Sequence, residues 1–137
     1  MPGSYFVCAS MAIVLGLALL HLRLLYFTRA FSPRDTALEA GMRTVAPILS
    51  SKLTMWRSQI GFHASHSLGI LTFSVVYGYL AIAHPAFLFA SHFLVGFGAV
   101  VLAAYGFIAA RYWFTPPLRG VAIALGCYAI GVVLAYA

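Results

Sequence analysis

Charge is scarce in this sequence. Of its 137 residues, eight are Lys or Arg and two are Asp or Glu, so charged residues make up 7% of the chain, against roughly 25% in an ordinary soluble domain. So few charged side chains cannot cover the surface of a water-soluble globule. Intrinsic disorder is excluded as well, because disordered chains are polar and rich in charge.

Cysteine is nearly absent, and so are the short motifs of well-known catalytic sites. Cys8 and Cys127 lie far apart without a CxxC pattern, which indicates neither a zinc site nor a redox pair. No GxSxG elbow, phosphate-binding glycine loop or HExxH motif occurs. The catalytic residues therefore stay unknown, and whether the protein is an enzyme stays open.

Long apolar runs dominate what is present. Hydrophobic residues make up 64% of the chain, and a membrane helix needs about 20 of them in succession. Four spans are predicted, over residues 5–27, 58–83, 86–110 and 120–137, with a tight hairpin at His84-Pro85. No Lys or Arg precedes the first run, which favours a retained span over a signal peptide. The prediction is a single all-α domain, a four-helix antiparallel bundle in the lipid bilayer.

The basic residues predict the orientation of the bundle. All eight lie at the ends of spans or in loops one and three, which predicts that these loops are cytoplasmic and that both termini are outside. Trp56, Tyr112 and Trp113 are expected at the interface on that side. The net charge of +6 forms no basic stripe on a soluble face, so nucleic acid is not expected as a partner. The basic residues are Arg23, Arg29, Arg34, Arg43, Lys52, Arg57, Arg111 and Arg119.

Small residues recur at four-residue spacing in three spans. Such rows let helix backbones approach closely in lipid. Packing within the bundle is the favoured interpretation, and homodimerisation through a row is the alternative. The rows are Gly61, Ser65 and Gly69 in span two, Ala12 and Gly16 in span one, and Gly120 and Ala124 in span four.

Loop one has the pattern of an amphipathic helix over residues 33–46. Ser32, Pro33 and Asp35 match a capping box, with Ser32 as the N-cap. An apolar stripe follows at helical spacing, so we expect this helix to lie on the cytoplasmic interface and to end near Pro47. Asp35 and the pair of Glu39 with Arg43 are expected to stabilise this helix, with acid–base catalysis by the two carboxylates as the alternative. The stripe is formed by Leu38, Met42, Val45 and Leu49.

Histidines inside the spans are the strongest candidates for a site. Ionisable groups within a membrane indicate function by default. Counting residues from the span ends places His21, His63, His66 and Tyr105 in the same third of the bilayer. Hydrogen bonding or proton transfer to a lipid-like, isoprenoid or quinone ligand is the leading interpretation. The alternatives are haem b with His21 and His66 as axial ligands, another metal, and a purely structural interhelical hydrogen bond. The expected ligand-binding residues are His21, Arg57, His63, His66 and Tyr105.

Four segments carry a resemblance. Residues 54–57 (TMWR), 61–69 (GFHASHSLG) and 77–81 (YGYLA), together with 111–114 (RYWF), resemble an uncharacterised family of small bacterial four-span membrane proteins of about this length. In that family pattern Asn often stands at the position of His63, so the resemblance makes His66 the more central residue. It implies the topology and a bacterial origin, and no activity.

The sequence thus favours a small bacterial inner-membrane protein with a cytoplasm-facing His/Tyr pocket for a lipid-like ligand. The competing hypothesis is a non-catalytic accessory subunit of a larger membrane complex, in which the histidines are structural.

Overall fold

The computed structural model describes residues 1–137, and 82% of them are helical with no strand. Four of the helices are long and apolar enough to cross a membrane. The predicted all-α fold with four membrane helices is therefore confirmed. The helices are α1 (Pro2–Phe27), α2 (Thr36–Thr44), α3 (Met55–Ala83), α4 (Pro85–Ala90), α5 (His92–Tyr112) and α6 (Thr115–Tyr136).

The prolines that were expected to separate spans lie instead in the first turns of helices. Pro116 and Pro117 lie in the first turn of α6, where a missing N–H costs nothing and the fixed φ suits a helix, so α6 begins before residue 120. His84-Pro85 is not a two-residue hairpin, because Pro85 starts the short helix α4. The third span accordingly begins at His92 rather than at residue 86, after Ser91, whose hydroxyl accepts the N–H of Leu94.

Contacts divide the chain into two compact units. The first comprises Met1–Leu17 and Ile70–Ala137, and the second comprises Ala18–Gly69. The first unit therefore holds the start of α1, the end of α3 and all of α4, α5 and α6. The second holds the end of α1, all of α2 and the start of α3.

Within the first unit, α1 and α6 approach closely. A Cβ atom on Gly131 would lie 2.8 Å from the carbonyl oxygen of Gly3, so only glycine fits at this crossing. Further along, the Ser10 hydroxyl donates to the Ala124 carbonyl at 2.7 Å. Gly120 packs against the side chain of Leu17. The predicted role of the Gly120/Ala124 row in packing is therefore confirmed.

The other two rows do not pack inside the bundle. Gly61, Ser65 and Gly69 are exposed on α3, and so are Ala12 and Gly16 on α1. Cβ atoms on Gly61 and Gly16 would meet nothing within 4 Å. The prediction of internal packing is wrong for these rows, because each helix presents a different face to its neighbours.

Three tyrosine hydroxyls bind the backbone of α4 and α5 within the first unit. Tyr77 donates to the Leu94 carbonyl at 2.8 Å and Tyr128 to the Val95 carbonyl at 3.0 Å. A buried tyrosine hydroxyl needs such a partner. The third bond runs from Tyr136 to the carbonyl of Phe89 at 2.6 Å.

In the second unit, α2 begins later than the sequence predicts. Asp35, not Ser32, is the N-cap, because its carboxylate accepts the backbone N–H of Ala37 at 2.8 Å and of Leu38 at 3.4 Å. The Ser32 N–H instead closes a turn onto the Arg29 carbonyl at 3.0 Å. The helix ends at Thr44, shorter than the predicted 33–46.

An ion-pair network supports α2. Glu39 lies 2.7 Å from Arg29 and 2.8 Å from Arg43, so the predicted pair of Glu39 with Arg43 is confirmed. The hydrogen bond from Arg43, supported by Arg29, lowers the pKa of Glu39 below its usual value. The Arg43 guanidinium also lies 4.0 Å from the ring centre of Trp56, at the start of α3. Glu39 therefore has a structural role here, as Asp35 has at the cap.

Candidate functional site

The candidate site lies near the ends of spans one and two that are predicted to face the cytoplasm. His21 lies in the last two turns of α1, and His63 and His66 lie on α3. Residues three apart in a helix project in similar directions, so both α3 histidines can face one partner. All three belong to the second compact unit.

The three imidazoles form one cluster. Nε2 of His21 lies 3.1 Å from Nδ1 of His63, within hydrogen-bond distance. The ring of His66 lies edge-on to that of His21, with their centres 5.7 Å apart. All three side chains are half-buried. The structure thus brings His21, His63 and His66 together, with His21 contacting both of the others.

Phe31 covers the bonded pair. Its ring centre lies 4.6 Å from that of His21 and 4.6 Å from that of His63. Its backbone is fixed by Gln59, one turn before His63, whose side-chain N–H donates to the Phe31 carbonyl at 2.9 Å. Sequence reasoning missed Phe31, because a loop residue has no periodic signal. Gln59 was visible only as one polar residue in an apolar run.

Ser67 adds a buried polar group next to the histidines. It lies one turn beyond His63, is 0% exposed, and its hydroxyl has no hydrogen-bond partner within the chain. An unsatisfied buried donor costs about 1–3 kcal/mol. Because no water-sized space adjoins this oxygen, Ser67 marks a polar position within the packed face of α3 and not a surface that a ligand contacts.

Arg57 and Tyr105 are the other two predicted site residues. Arg57 is exposed in the first turn of α3, where its backbone N–H donates to the Thr54 hydroxyl. Tyr105 is half-buried on α5 and belongs to the first compact unit. Of the remaining histidines, His84 hydrogen bonds with Tyr79 at 3.2 Å, and the exposed His92 stacks on Tyr136.

The geometry of the cluster does not fit haem. Each bond from imidazole to a metal ion is about 2.0–2.1 Å, so two axial imidazoles on opposite faces of one haem have ligand atoms about 4 Å apart. The bonded nitrogens of His21 and His63 are 3.1 Å apart. The rings of His21 and His66 meet edge to face at 5.7 Å, which leaves no slot for a porphyrin plane. No group of three or more His, Cys, Asp or Glu side chains converges as metal ligands do.

A cleft of about 290 Å³ lies in the first unit, between the start of α1 and the end of α3. Its lining includes Ser4, Cys8 and Pro85. None of the predicted site residues contributes to this lining. The cleft and the histidine cluster are therefore different features.

Comparison with known proteins assigns no relative. No protein-family model, curated protein or solved structure matches the chain. The resemblance carried by residues 54–57, 61–69, 77–81 and 111–114 stays a prediction. The functional argument depends on the residues of the cluster and their chemistry.

Proposed function

We propose that the protein is a multi-pass membrane protein that binds a lipid-like ligand, of isoprenoid or quinone type, through His21, His63 and His66. One observation carries the proposal: imidazoles from two membrane helices lie within hydrogen-bond distance, half-buried, in spans whose only Lys, Arg, Asp or Glu residues are four arginines near the span ends. Ionisable residues at such depth are costly unless they have a function.

The surroundings of the cluster favour an amphiphilic ligand over a water-soluble one. Phe31 lies on the bonded pair, and the ring of Phe62, 71% exposed on the outer face of α3, stacks with His66 at 6.5 Å. Apolar rings beside imidazoles suit a ligand that approaches through the bilayer, with a carbonyl or hydroxyl headgroup for the ring nitrogens.

Quinone binding can be tested through the two tryptophans. Replacing Trp113→Phe leaves Trp56, in the same unit as the cluster, as the only tryptophan. In nanodiscs of this variant, a short-tailed benzoquinone should quench Trp56 fluorescence saturably. Adding His66→Ala or His63→Ala should weaken binding about tenfold, which corresponds to losing one hydrogen bond.

His92→Ala is the matched control, because it removes an exposed imidazole from a different span. It should leave the quenching curve unchanged. A mass-spectrometric inventory of lipids that co-purify with the parent should show an isoprenoid species that His66→Ala loses. Identical quenching in the parent and all three histidine variants would overturn the proposal.

The proposed location is the bacterial inner membrane, with both termini outside and the cluster toward the cytoplasm. This orientation is supported by the positions of all Lys and Arg residues, which lie in loops one and three or at the span ends that adjoin them. Reporter fusions at each terminus test it, and a C-terminal reporter active only in the cytoplasm would refute the orientation.

A second candidate is an accessory subunit of a larger membrane complex. It is favoured by the exposure of the small-residue row Gly61, Ser65 and Gly69 on α3, since such rows accept a close helix. On this proposal the histidines are structural, native gels of gently solubilised membranes show the protein in a large complex, and Gly61→Leu releases it. Migration at the monomer mass in both cases would exclude the accessory role.

A further inference from the structure

We propose that His21 and His63 form a proton relay, in which a proton enters at one outer ring nitrogen and another leaves at the other. This rests on the proposed function, because it concerns the same site. It narrows the ligand to one whose headgroup exchanges protons, such as the hydroxyl of a hydroquinone. A lipid ester or a phosphodiester has no such proton at neutral pH.

The argument begins with which nitrogens are bonded. Nε2 of His21 and Nδ1 of His63 face each other at 3.1 Å. A neutral imidazole has one N–H and one lone pair, and a protonated one has two N–H groups. Two protonated rings offer only donors, so the hydrogen bond requires that at least one ring is neutral. The pair therefore carries either no net charge or one positive charge.

In the neutral pair, the bond couples the two tautomers. If Nε2–H of His21 donates to Nδ1 of His63, then His63 must carry its own proton on Nε2. If Nδ1–H of His63 donates instead, His21 must carry its proton on Nδ1. Both rings are therefore protonated at the same type of nitrogen in either arrangement. The outer nitrogens, Nδ1 of His21 and Nε2 of His63, always comprise one acceptor and one donor.

A proton that binds the acceptor end can therefore leave from the donor end. Starting with both rings protonated at Nε2, a proton added to Nδ1 of His21 makes that ring an imidazolium. The shared proton then moves to Nδ1 of His63, and the original proton on Nε2 of His63 is released. One proton enters, one leaves, and no electron moves. The pair ends with both rings protonated at Nδ1, and the reverse transfer or reorientation of the rings resets it.

The surroundings suit a relay better than a fixed charge pair. The chain's only two side-chain carboxylates, Asp35 and Glu39, are used at α2, where Asp35 caps the helix and Glu39 pairs with arginines. Neither provides a counter-ion for a permanently charged histidine. Phe31 covers both bonded rings, which limits the access of water to the shared proton. His66 is the third titratable group of the cluster, beside His21.

Nitrogen-15 NMR of the full chain in nanodiscs, with labelled histidine, tests the relay. The ligand-free protein should show His21 and His63 in the same tautomer, with a nitrogen–nitrogen coupling across their hydrogen bond. His63→Ala should abolish that coupling, while His66→Ala, which removes the neighbouring imidazole, should preserve it. Opposite tautomers, or no coupling in the parent, would overturn the relay.

Two matched ligands separate the relay from ligand binding. A short-tailed hydroquinone, which can give and take a proton, should speed the interconversion of both rings between tautomers, whereas its dimethyl ether should bind without speeding it. Hydroquinone that binds and leaves the interconversion rate unchanged would contradict the relay alone. If neither compound binds, the proposed function fails. The relay is then tested by measuring how fast each of the two rings interconverts between tautomers in the ligand-free protein. A single interconversion rate for both rings supports it, and independent rates refute it.

Discussion

Replacing Gly98→Ala should destabilise the first unit, although alanine is the better helix former. The added Cβ would lie 2.7 Å from Cε1 of Tyr77 and in still closer contact with the hydroxyl of Tyr128. These rings cannot retreat freely, because their hydroxyls donate to the Leu94 and Val95 carbonyls. Overpacking of this kind costs about 1–3 kcal/mol, and a broken hydrogen bond in a membrane protein about 0.6–1.7 kcal/mol. Alanine recovers about 1 kcal/mol of helix propensity, so we expect a net loss of about 1–4 kcal/mol.

Gly96→Ala, on the same helix, is the control for this prediction, because its added Cβ would meet nothing within 4 Å. Unfolding in SDS, followed by circular dichroism, should show Gly96→Ala equal to or slightly more stable than the parent. In Gly98→Ala with Tyr128→Phe, part of the clash is removed, so the double variant should lose less than the sum of the single losses. Equal stability of Gly98→Ala and Gly96→Ala would refute the packing argument.

Three further predictions concern the second unit. Asp35→Ala should lower α2 stability by about 0.5–2 kcal/mol and speed amide exchange in its first turn, whereas Ser32→Ala should not; equal effects would contradict the assigned cap. Because the Arg43 hydrogen bond lowers the pKa of Glu39, the stabilisation it gives α2 should be full above the ordinary pKa and be lost as pH falls through the lowered one. Spin-label mobility on α2 measures this, and Glu39→Gln should remove the pH dependence. Gln59→Leu should release the ring that covers the histidine pair, detected as faster solvent exchange of the imidazole protons; unchanged exchange would show that Gln59 does not hold it.

The candidate site was predictable in part. His21, His63 and His66 could be selected from the sequence, because imidazoles are rare in apolar spans and their distance from the span ends is a matter of counting. Their cluster also includes Phe31, in the loop after α1, whose carbonyl accepts a hydrogen bond from Gln59 on α3. Such a contact joins residues that are distant along the chain and show no shared periodicity. The direct bond between His21 and His63 likewise depends on how two helices are rotated toward each other.

The amino-acid sequence alone determined the fold class, the number of membrane helices and the ion pair of Glu39 with Arg43. Bilayer thickness sets the length of an apolar run, and helix periodicity sets which neighbours meet within one turn. Only the tertiary structure decided that α1 and α6 cross at Gly3 and Gly131, while the row at Gly61 stays exposed. In a soluble helix the apolar stripe marks the buried face, but a membrane helix is apolar on its lipid side as well. Hydrophobic periodicity therefore does not predict the rotation of a membrane helix about its own axis, which is set by packing against its neighbours.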